Sequence, residues 1–148
     1  SLSGIGAPYW NPEAKGAILG ITRGTKQGHI ARAALEAIAI RSAEIINEMQ
    51  KDSGDKFSTL KVDGGASMNE LLMQIQANIL STIVIRPKTT EITAQGIAFL
   101  AGLGCGFWKS QESLKLLWEK DKEFVPNTDE QNQKMLNLWN KRIEKILQ

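Results

Sequence analysis

The chain has almost none of the side chains that form disulfides or metal clusters. Its 148 residues include a single cysteine, Cys105, and a single histidine, His29. One cysteine excludes an internal disulfide framework and a multi-cysteine zinc site, and one histidine excludes a histidine-based metal cluster. Because Cys105 lies among glycines, we expect a buried structural thiol there and not a reactive one.

The chain also lacks an excess of charge of either sign. It carries 18 lysines and arginines against 16 aspartates and glutamates, for a formal net charge of +2. The basic residues are scattered and form no long run. This near balance argues against a protein dedicated to nucleic acid or to membrane surfaces, so we expect neither as a partner.

Membrane-spanning and secretory segments are missing as well. The longest apolar run, residues 96–108, is too short and too rich in glycine to span a bilayer. The N-terminus is polar and glycine-rich, which is unlike a secretory signal. We therefore expect a cytoplasmic protein without a membrane span.

A P-loop is excluded as well, because no G-x-x-x-x-G-K-[ST] run occurs in the sequence.

Apolar periodicity predicts helices in both halves of the chain. A long helix is expected near residues 26–51, with Thr25 as its N-cap and a wide apolar face of small residues. A short helix is expected near residues 111–120. The last helix begins after Thr128 and Gln131, which have capping-box spacing.

Strands alternate with these helices. Residues 16–22 alternate weakly, residues 60–62 alternate clearly, and residues 82–86 are rich in β-branched side chains. Thr90 is the expected N-cap of the helix that follows the last of these strands. Alternating strands and helices predict an α/β fold with largely parallel strand pairing.

The most informative stretch is residues 60–80, LKVDGGASMNELLMQIQANIL. It predicts a strand, a turn at Gly64 and Gly65, and a helix whose start has the capping-box spacing of Ser67 and Glu70. Glycines permit positive φ and close approach of a ligand, and a helix start offers free N–H groups to an anion or a nucleotide. The same turn also occurs in α/β domains that bind no nucleotide.

Several separate blocks carry a family resemblance. They are GIGAPYWNPEAKGAILGITRGT, then HIARAALEAIAIRSAEIINEM, then VDGGASMNELLMQIQANIL, VIRP and TAQGIAFLAGLGCGFW. In this order and spacing they resemble the C-terminal part of the FGGY family of carbohydrate kinases. The resemblance runs from about Gly4 to Trp108 and more loosely to the C-terminus. The wording is most similar to family members that phosphorylate glycerol.

The resemblance implies an incomplete ribonuclease H-like domain of the actin and hexokinase superfamily. It places strand three at residues 16–22, strand four at residues 60–62 and strand five at residues 82–85, within the family order 3-2-1-4-5. Residues 1–148 would then be the C-terminal portion of the second domain of a longer kinase. Because the middle strands would be absent, exposed edges and apolar faces predict self-association or a homo-oligomer.

The resemblance also implies the reaction and part of its site. Phosphoryl transfer from ATP to glycerol, with Mg²⁺, would give glycerol 3-phosphate. Gly65 and Asn69 match the family's nucleotide contacts, and Gly64 and Ala66 complete the turn. The Asn69 amide has a donor and an acceptor, which suits an adenine edge; a solvent-facing role is the alternative.

Catalytic residues are not expected in this chain. The family's catalytic aspartate lies in a GDQQ-type motif that does not occur here, and its glycerol-binding residues lie mainly in an N-terminal domain. The isolated fragment is therefore expected to be inactive. Two alternatives stay open: another FGGY kinase acting on xylulose or gluconate, and a non-catalytic assembly module that docks through Trp139 and Ile143 of the last helix. Packing of that helix on its own domain is the simpler expectation.

Overall fold

A computed structural model describes residues 4–127 and 130–147. The elements are α1 (Gln27–Ser53), β1 (Thr59–Lys61), a 3₁₀ helix (Gly65–Met68), α2 (Glu70–Leu80), β2 (Ile83–Pro87), α3 (Ile92–Gly104), α4 (Gln111–Lys115), β3 (Lys120–Phe124) and α5 (Glu130–Leu147). The mixture of strands and helices confirms the predicted α/β class. Within the described ranges, no helix combines the length and apolar character needed to cross a bilayer.

The three strands form one sheet in the order β1-β2-β3. β1 and β2 are parallel, with Leu60 opposite Val84, and α2 provides the crossover between them. This parallel pair was predicted from the sequence. β2 and β3 are antiparallel, with Val84 opposite Phe124.

β3 was not predicted, because its sequence KDKEF has the charge density of a connecting segment. The strand lies at the edge of the sheet, where charged side chains face solvent and hinder pairing with another chain. Phe124 alone is buried in β3. One buried aromatic at a strand end is a weak signal against four charged neighbours.

The predicted strand at residues 16–22 is wrong. No described residue pairs with this segment in a ladder, and Ile18, Leu19 and Ile21 are exposed. A strand needs a neighbour to take its backbone hydrogen bonds. The weak apolar alternation is present, but no neighbouring strand lies beside it among the described residues.

The main core lies between the sheet and the first two helices. Its buried members are Ala39, Leu72, Met73, Ile75, Ala77, Val84 and Phe124. Ala39 of α1 and Ala77 of α2 are fully buried, so small side chains allow the long helix to approach α2 closely. The apolar face of small residues predicted for the long helix therefore packs mainly on α2.

A second cluster joins the N-terminal loop to α5. Ile143 is buried with Ile5 and Ala14, so the apolar face of α5 packs on its own chain. Trp139 Nε1 donates a hydrogen bond to Glu44 Oε1 at 2.9 Å, and this contact ties α5 to α1.

Tyr9 shares the same carboxylate. Its hydroxyl donates to Glu44 Oε1 at 2.6 Å, and Arg41 pairs with Glu44 while its Nη2 donates to the Ala7 carbonyl at 2.7 Å. Burial and the hydrogen bond to Glu44 raise the pKa of Tyr9 to about 12. The Glu44 carboxylate thus joins the N-terminal loop, α1 and α5.

Two predicted helix starts are shifted. Thr25 does not cap α1, because its Oγ1 accepts from the Thr22 N–H at 2.9 Å; Lys26 is the N-cap instead. Thr90 does not cap α3, which begins at Ile92 after Glu91. The predicted cap at Thr128 lies outside the described residues.

Two further expectations were wrong. Cys105 is exposed and not buried, because it follows the end of α3, where its sulfhydryl reaches only the Gly102 carbonyl at 3.6 Å. The short helix expected to reach residue 120 ends at Lys115.

Candidate functional site

The glycine turn, residues 63–69, joins the end of β1 to the start of α2. Gly64 has φ +76° and ψ 172°, a conformation that is nearly restricted to glycine. Its N–H donates to the Thr90 carbonyl at 3.1 Å, which connects the turn to the segment before α3. The backbone therefore turns sharply at Gly64, and the hydrogen bond to Thr90 stabilises this conformation.

Ser67 closes this turn from the inside. It is 1% exposed, and its N–H and Oγ both donate to the Gly64 carbonyl, at 3.1 and 2.7 Å. The predicted capping box of Ser67 and Glu70 is therefore wrong, because the Ser67 hydroxyl faces back into the turn and not toward α2.

Asn69 is the N-cap of α2. Its Oδ1 accepts from the Leu72 N–H at 3.0 Å, and its own N–H donates to the Ala66 carbonyl at 3.1 Å. Asn69 is exposed, and no described residue accepts a hydrogen bond from its Nδ2. The amide oxygen is thus committed to the helix, while the amide nitrogen faces solvent with its donors available.

The outer face of the turn is open. Gly65 and Ala66 are exposed, and a Cβ built at Gly64 or Gly65 would meet nothing within 4 Å. The structure therefore brings together all four predicted site residues, Gly64, Gly65, Ala66 and Asn69, in one solvent-facing turn. The open backbone of Gly65 and the amide nitrogen of Asn69 are accessible there to a flat or polar ligand.

Arg86 was missed by the sequence reasoning. Its side chain is 7% exposed, and its Nη1 donates to the Ser67 carbonyl at 3.0 Å. Its Nε and Nη2 both contact Asp121 Oδ2 at 2.7 Å. Its burial could have been predicted from the alternation of the strand. Arg86 follows Val84 by two positions, so both side chains face the same side of the sheet, and both are buried.

The charges around Arg86 balance. Glu70, the first residue of α2, lies 3.8 Å from Arg86 Nη2, and its Oε1 accepts from Lys122 Nζ at 2.8 Å. The hydrogen bond from Lys122 lowers the pKa of Glu70 below its usual range. A carboxylate in the first turn also suits the helix dipole. Two cations, Arg86 and Lys122, and two anions, Glu70 and Asp121, therefore join α2, β2 and β3 beneath the turn.

The described residues do not form a metal site. No group of three or more histidine, cysteine, aspartate or glutamate side chains in the ranges 4–127 and 130–147 is placed to hold a metal ion. Asp63 lies two residues after the end of β1, at the start of the turn, and is exposed.

Comparison with protein families gives one match. Residues 1–105 match the model described as the C-terminal domain of the FGGY family of carbohydrate kinases. The matched region includes the N-terminal loop, α1, the glycine turn, β2 and α3.

Curated relatives agree with this match. The chain is 54% identical over 141 residues to a glycerol kinase of Deinococcus radiodurans, covering 95% of the chain and 28% of the relative. It is 50% identical over 145 residues to a glycerol kinase of Saccharolobus islandicus, covering 97% of the chain and 29% of the relative. The chain thus spans less than a third of these relatives' length.

Solved structures show the same fold. A Plasmodium falciparum glycerol kinase with ADP superimposes with a TM-score of 0.86 at 36% identity, over 99% of this chain and 29% of that one. A xylulose kinase of Lactobacillus acidophilus superimposes with a TM-score of 0.76 at 23% identity, over 94% of this chain and 29% of that one. The second likeness concerns the fold alone.

Proposed function

The chain belongs to the FGGY family of carbohydrate kinases, and from this premise we propose that residues 1–148 are the C-terminal portion of the second domain of a glycerol kinase. Curated glycerol kinases are about half identical to the chain along nearly all of it. Each of them is more than three times as long as the matched segment. The remainder of the proposed enzyme would supply the first domain.

The proposed reaction is transfer of the γ-phosphoryl group of ATP to a glycerol hydroxyl, giving glycerol 3-phosphate. We infer that the residues present here supply part of the nucleotide site. The two carboxylates beneath the turn, Glu70 and Asp121, are paired with Lys122 and Arg86 and are not assigned a catalytic role. The catalytic carboxylate and the glycerol contacts would come from the rest of the polypeptide. Mg²⁺ would be held mainly by the nucleotide phosphates, as is usual for this ion in kinases.

One observation carries the nucleotide assignment: the turn exposes the Cβ-free backbone of Gly65 and, four residues on, an Asn69 amide nitrogen without a hydrogen-bond partner among the described residues. Gly65 lacks a Cβ, so a planar base can lie against the backbone there. Asn69 Nδ2 is free to donate to a ring nitrogen of adenine. The similarity to a kinase solved with ADP supports the same assignment.

Glycerol is favoured over a sugar as the acceptor by the degree of identity. Relatives at 50% and 54% identity are glycerol kinases, whereas the xylulose and gluconate kinases that superimpose on the chain are 23% identical. Sequence identity of about 50% along nearly the whole chain indicates a closer relationship than a shared fold alone.

The test is a phosphoryl-transfer assay of the full-length polypeptide that contains this chain. ATP and Mg²⁺ would be held constant while glycerol, xylulose and gluconate are compared as acceptors. We expect the highest kcat/KM for glycerol, by about a hundredfold or more, because a site built to hydrogen-bond one set of hydroxyls discriminates strongly. A preference for xylulose or gluconate would overturn the substrate assignment and leave the kinase family unchanged.

Self-association is a further part of the proposal. Large apolar side chains are exposed on and after α3, namely Ile97, Leu100, Phe107 and Leu116. Exposed apolar surface of this kind favours association of a chain with copies of itself. Sedimentation velocity of the 148-residue chain should show oligomers whose fraction rises with concentration, and a monomer over a hundredfold concentration range would contradict this. A cytoplasmic location goes with the kinase proposal, since ATP is the proposed co-substrate.

A further inference from the structure

We propose that Arg86 is a positioning residue for nucleotide binding: its guanidinium holds the glycine turn in the shape that presents Gly65 and Asn69. The inference rests on the proposed nucleotide-binding function of the turn. Arg86 does not face the open side, because it is buried between β2, β3 and α2. Its effect on a ligand would therefore pass through the backbone.

A short series of hydrogen bonds carries that effect. Arg86 Nη1 donates to the Ser67 carbonyl at 3.0 Å, and the Ser67 N–H and Oγ donate to the Gly64 carbonyl at 3.1 and 2.7 Å. The Gly64 N–H in turn donates to the Thr90 carbonyl. Ser67 lies between Gly65 and Asn69 in the sequence, so its position sets the spacing of the two groups that face the ligand.

The chemistry of this contact requires arginine. Two nitrogens of the guanidinium, Nε and Nη2, contact Asp121 Oδ2 at 2.7 Å, which fixes the plane of the group. The third nitrogen, Nη1, is then aimed at the Ser67 carbonyl. A lysine has one nitrogen on a flexible stem and cannot hold both partners in a fixed fork.

The partners of Arg86 are more exposed than Arg86 itself. The side chains of Asp121 and Glu70 are 42% and 59% exposed, so they keep water contact when Arg86 is altered. Lys122 continues to pair with Glu70. A substitution at Arg86 therefore releases the Ser67 carbonyl without leaving a buried anion, and the turn loosens before the sheet does.

The chain offers a matched control at Arg41. Arg41 also donates through Nη2 to a backbone carbonyl, that of Ala7 at 2.7 Å, and also pairs with a carboxylate, Glu44. Arg41 lies on α1 beside the N-terminal loop, where its partner Glu44 also binds Tyr9, and it is not beneath the glycine turn. Arg41→Lys therefore repeats the chemical change of Arg86→Lys at a place with no role in the turn.

The experiment compares the wild-type chain, Arg86→Lys and Arg41→Lys at a temperature where circular dichroism shows each to be folded. Two quantities are measured: the Kd for ADP by calorimetric titration, and amide hydrogen exchange at Ser67 and Asn69. For Arg86→Lys we expect Kd and both exchange rates to rise about tenfold, with exchange in α1 unchanged. Arg41→Lys should leave the Kd and the turn's exchange within about twofold of wild type.

The full-length kinase supplies a readout that loss of stability alone would not move. There Arg86→Lys should raise the KM for ATP about tenfold, with kcat and the KM for glycerol within about twofold of wild type. Unchanged exchange at Ser67 and Asn69 in folded Arg86→Lys, or an equal loss of ADP affinity in Arg41→Lys, would overturn the inference.

The remaining outcomes are also decisive. If Arg86→Lys does not fold, Asp121→Asn replaces it, because this change weakens the ion pair that orients the Arg86 guanidinium. The Kd for ADP and the exchange rates at Ser67 and Asn69 should then rise by a smaller factor. If the wild-type chain binds no ADP, its nucleotide assignment fails, while the exchange rates at Ser67 and Asn69 still determine whether Arg86 holds the turn.

Discussion

Asn69 and Leu72 share a hydrogen bond in which Asn69 Oδ1 accepts from the Leu72 backbone N–H at 3.0 Å. The bond uses the oxygen of the amide to begin α2 and leaves the nitrogen facing solvent. The oxygen of this side chain stabilises the fold, and the nitrogen is the group that we propose as a ligand donor. The two roles can be separated by substitution.

Asn69→Ser should keep the first role and lose the second. Serine is as good an N-cap as asparagine, so the free energy of unfolding should stay within about 0.5 kcal/mol of wild type. The amide donor is gone, so the Kd for ADP should rise about tenfold. Asn69→Ala, which loses both roles, should also lower the free energy of unfolding by about 1 kcal/mol. Denaturant unfolding and ADP titration measure the two effects; equal ADP affinity in wild type and Asn69→Ser would show that the amide donor does not contact the base.

The two glycines of the turn should respond differently to alanine. Gly64→Ala places a side chain at φ +76°, which should cost about 1–3 kcal/mol of folding stability through backbone strain. Gly65→Ala meets no neighbour within 4 Å and should leave stability nearly unchanged. Its methyl group does occupy the open face, so ADP affinity should fall about tenfold or more without a change in the unfolding midpoint. A folded Gly65→Ala chain with wild-type ADP affinity would place the nucleotide elsewhere.

Two glycines of α3 give a purely structural prediction. A Cβ at Gly102 would lie 2.1 Å from the Trp108 ring, so Gly102→Ala should destabilise the chain by about 1–3 kcal/mol despite the better helix propensity of alanine. At Gly96 a Cβ meets nothing within 4 Å, so Gly96→Ala should stabilise by up to about 1 kcal/mol. Thermal unfolding of both variants checks the opposite signs, and stabilisation by both would show that Trp108 does not pack on Gly102.

The raised pKa of Tyr9 predicts that the folded chain loses stability at high pH. Its pKa is raised from an ordinary value near 10 to about 12, by burial first and then by the hydrogen bond to Glu44. Because the folded-state pKa lies above the unfolded one, the stabilisation is fully present below about pH 10 and is lost as the pH rises from about 10 to 12. The free energy of unfolding of wild type should therefore fall relative to that of Tyr9→Phe across this range. Parallel curves for the two proteins would mean that Tyr9 titrates normally.

The parallel pair β1 and β2 was predictable because its residues alternate and a helix of adequate length separates the strands. The turn at Gly64 and Gly65 was also predictable, since its residues are adjacent in sequence and need no long-range contact to come together; the assignment of Gly64, Gly65, Ala66 and Asn69 to a nucleotide stays a prediction. The helix cap was not, because Ser67 and Asn69 both have side chains that can cap a helix. The choice between them depends on Ser67 being buried in the turn, with its carbonyl bound by Arg86.

Features set by distant partners could not be predicted from local pattern. Residues 16–22 alternate as a strand does, yet strand formation depends on a neighbour. β3 is a strand because it pairs with β2, although its own sequence is dominated by charge. Arg86 looks exposed by residue type, and its burial follows from the position of Asp121, which lies 35 residues away in the sequence.

The most direct test of the account is thermal unfolding of the chain with and without ADP and Mg²⁺. A ligand that binds only the folded state stabilises it by about 2.7 kcal/mol at a free concentration about a hundredfold above Kd. We expect a rise in the midpoint of wild type and a clearly smaller rise for Gly65→Ala, whose fold is otherwise intact, because tenfold weaker binding reduces the stabilisation at the same ADP concentration to about 1.4 kcal/mol. An unchanged midpoint for wild type, or an equal rise for both proteins, would contradict a nucleotide site at this turn.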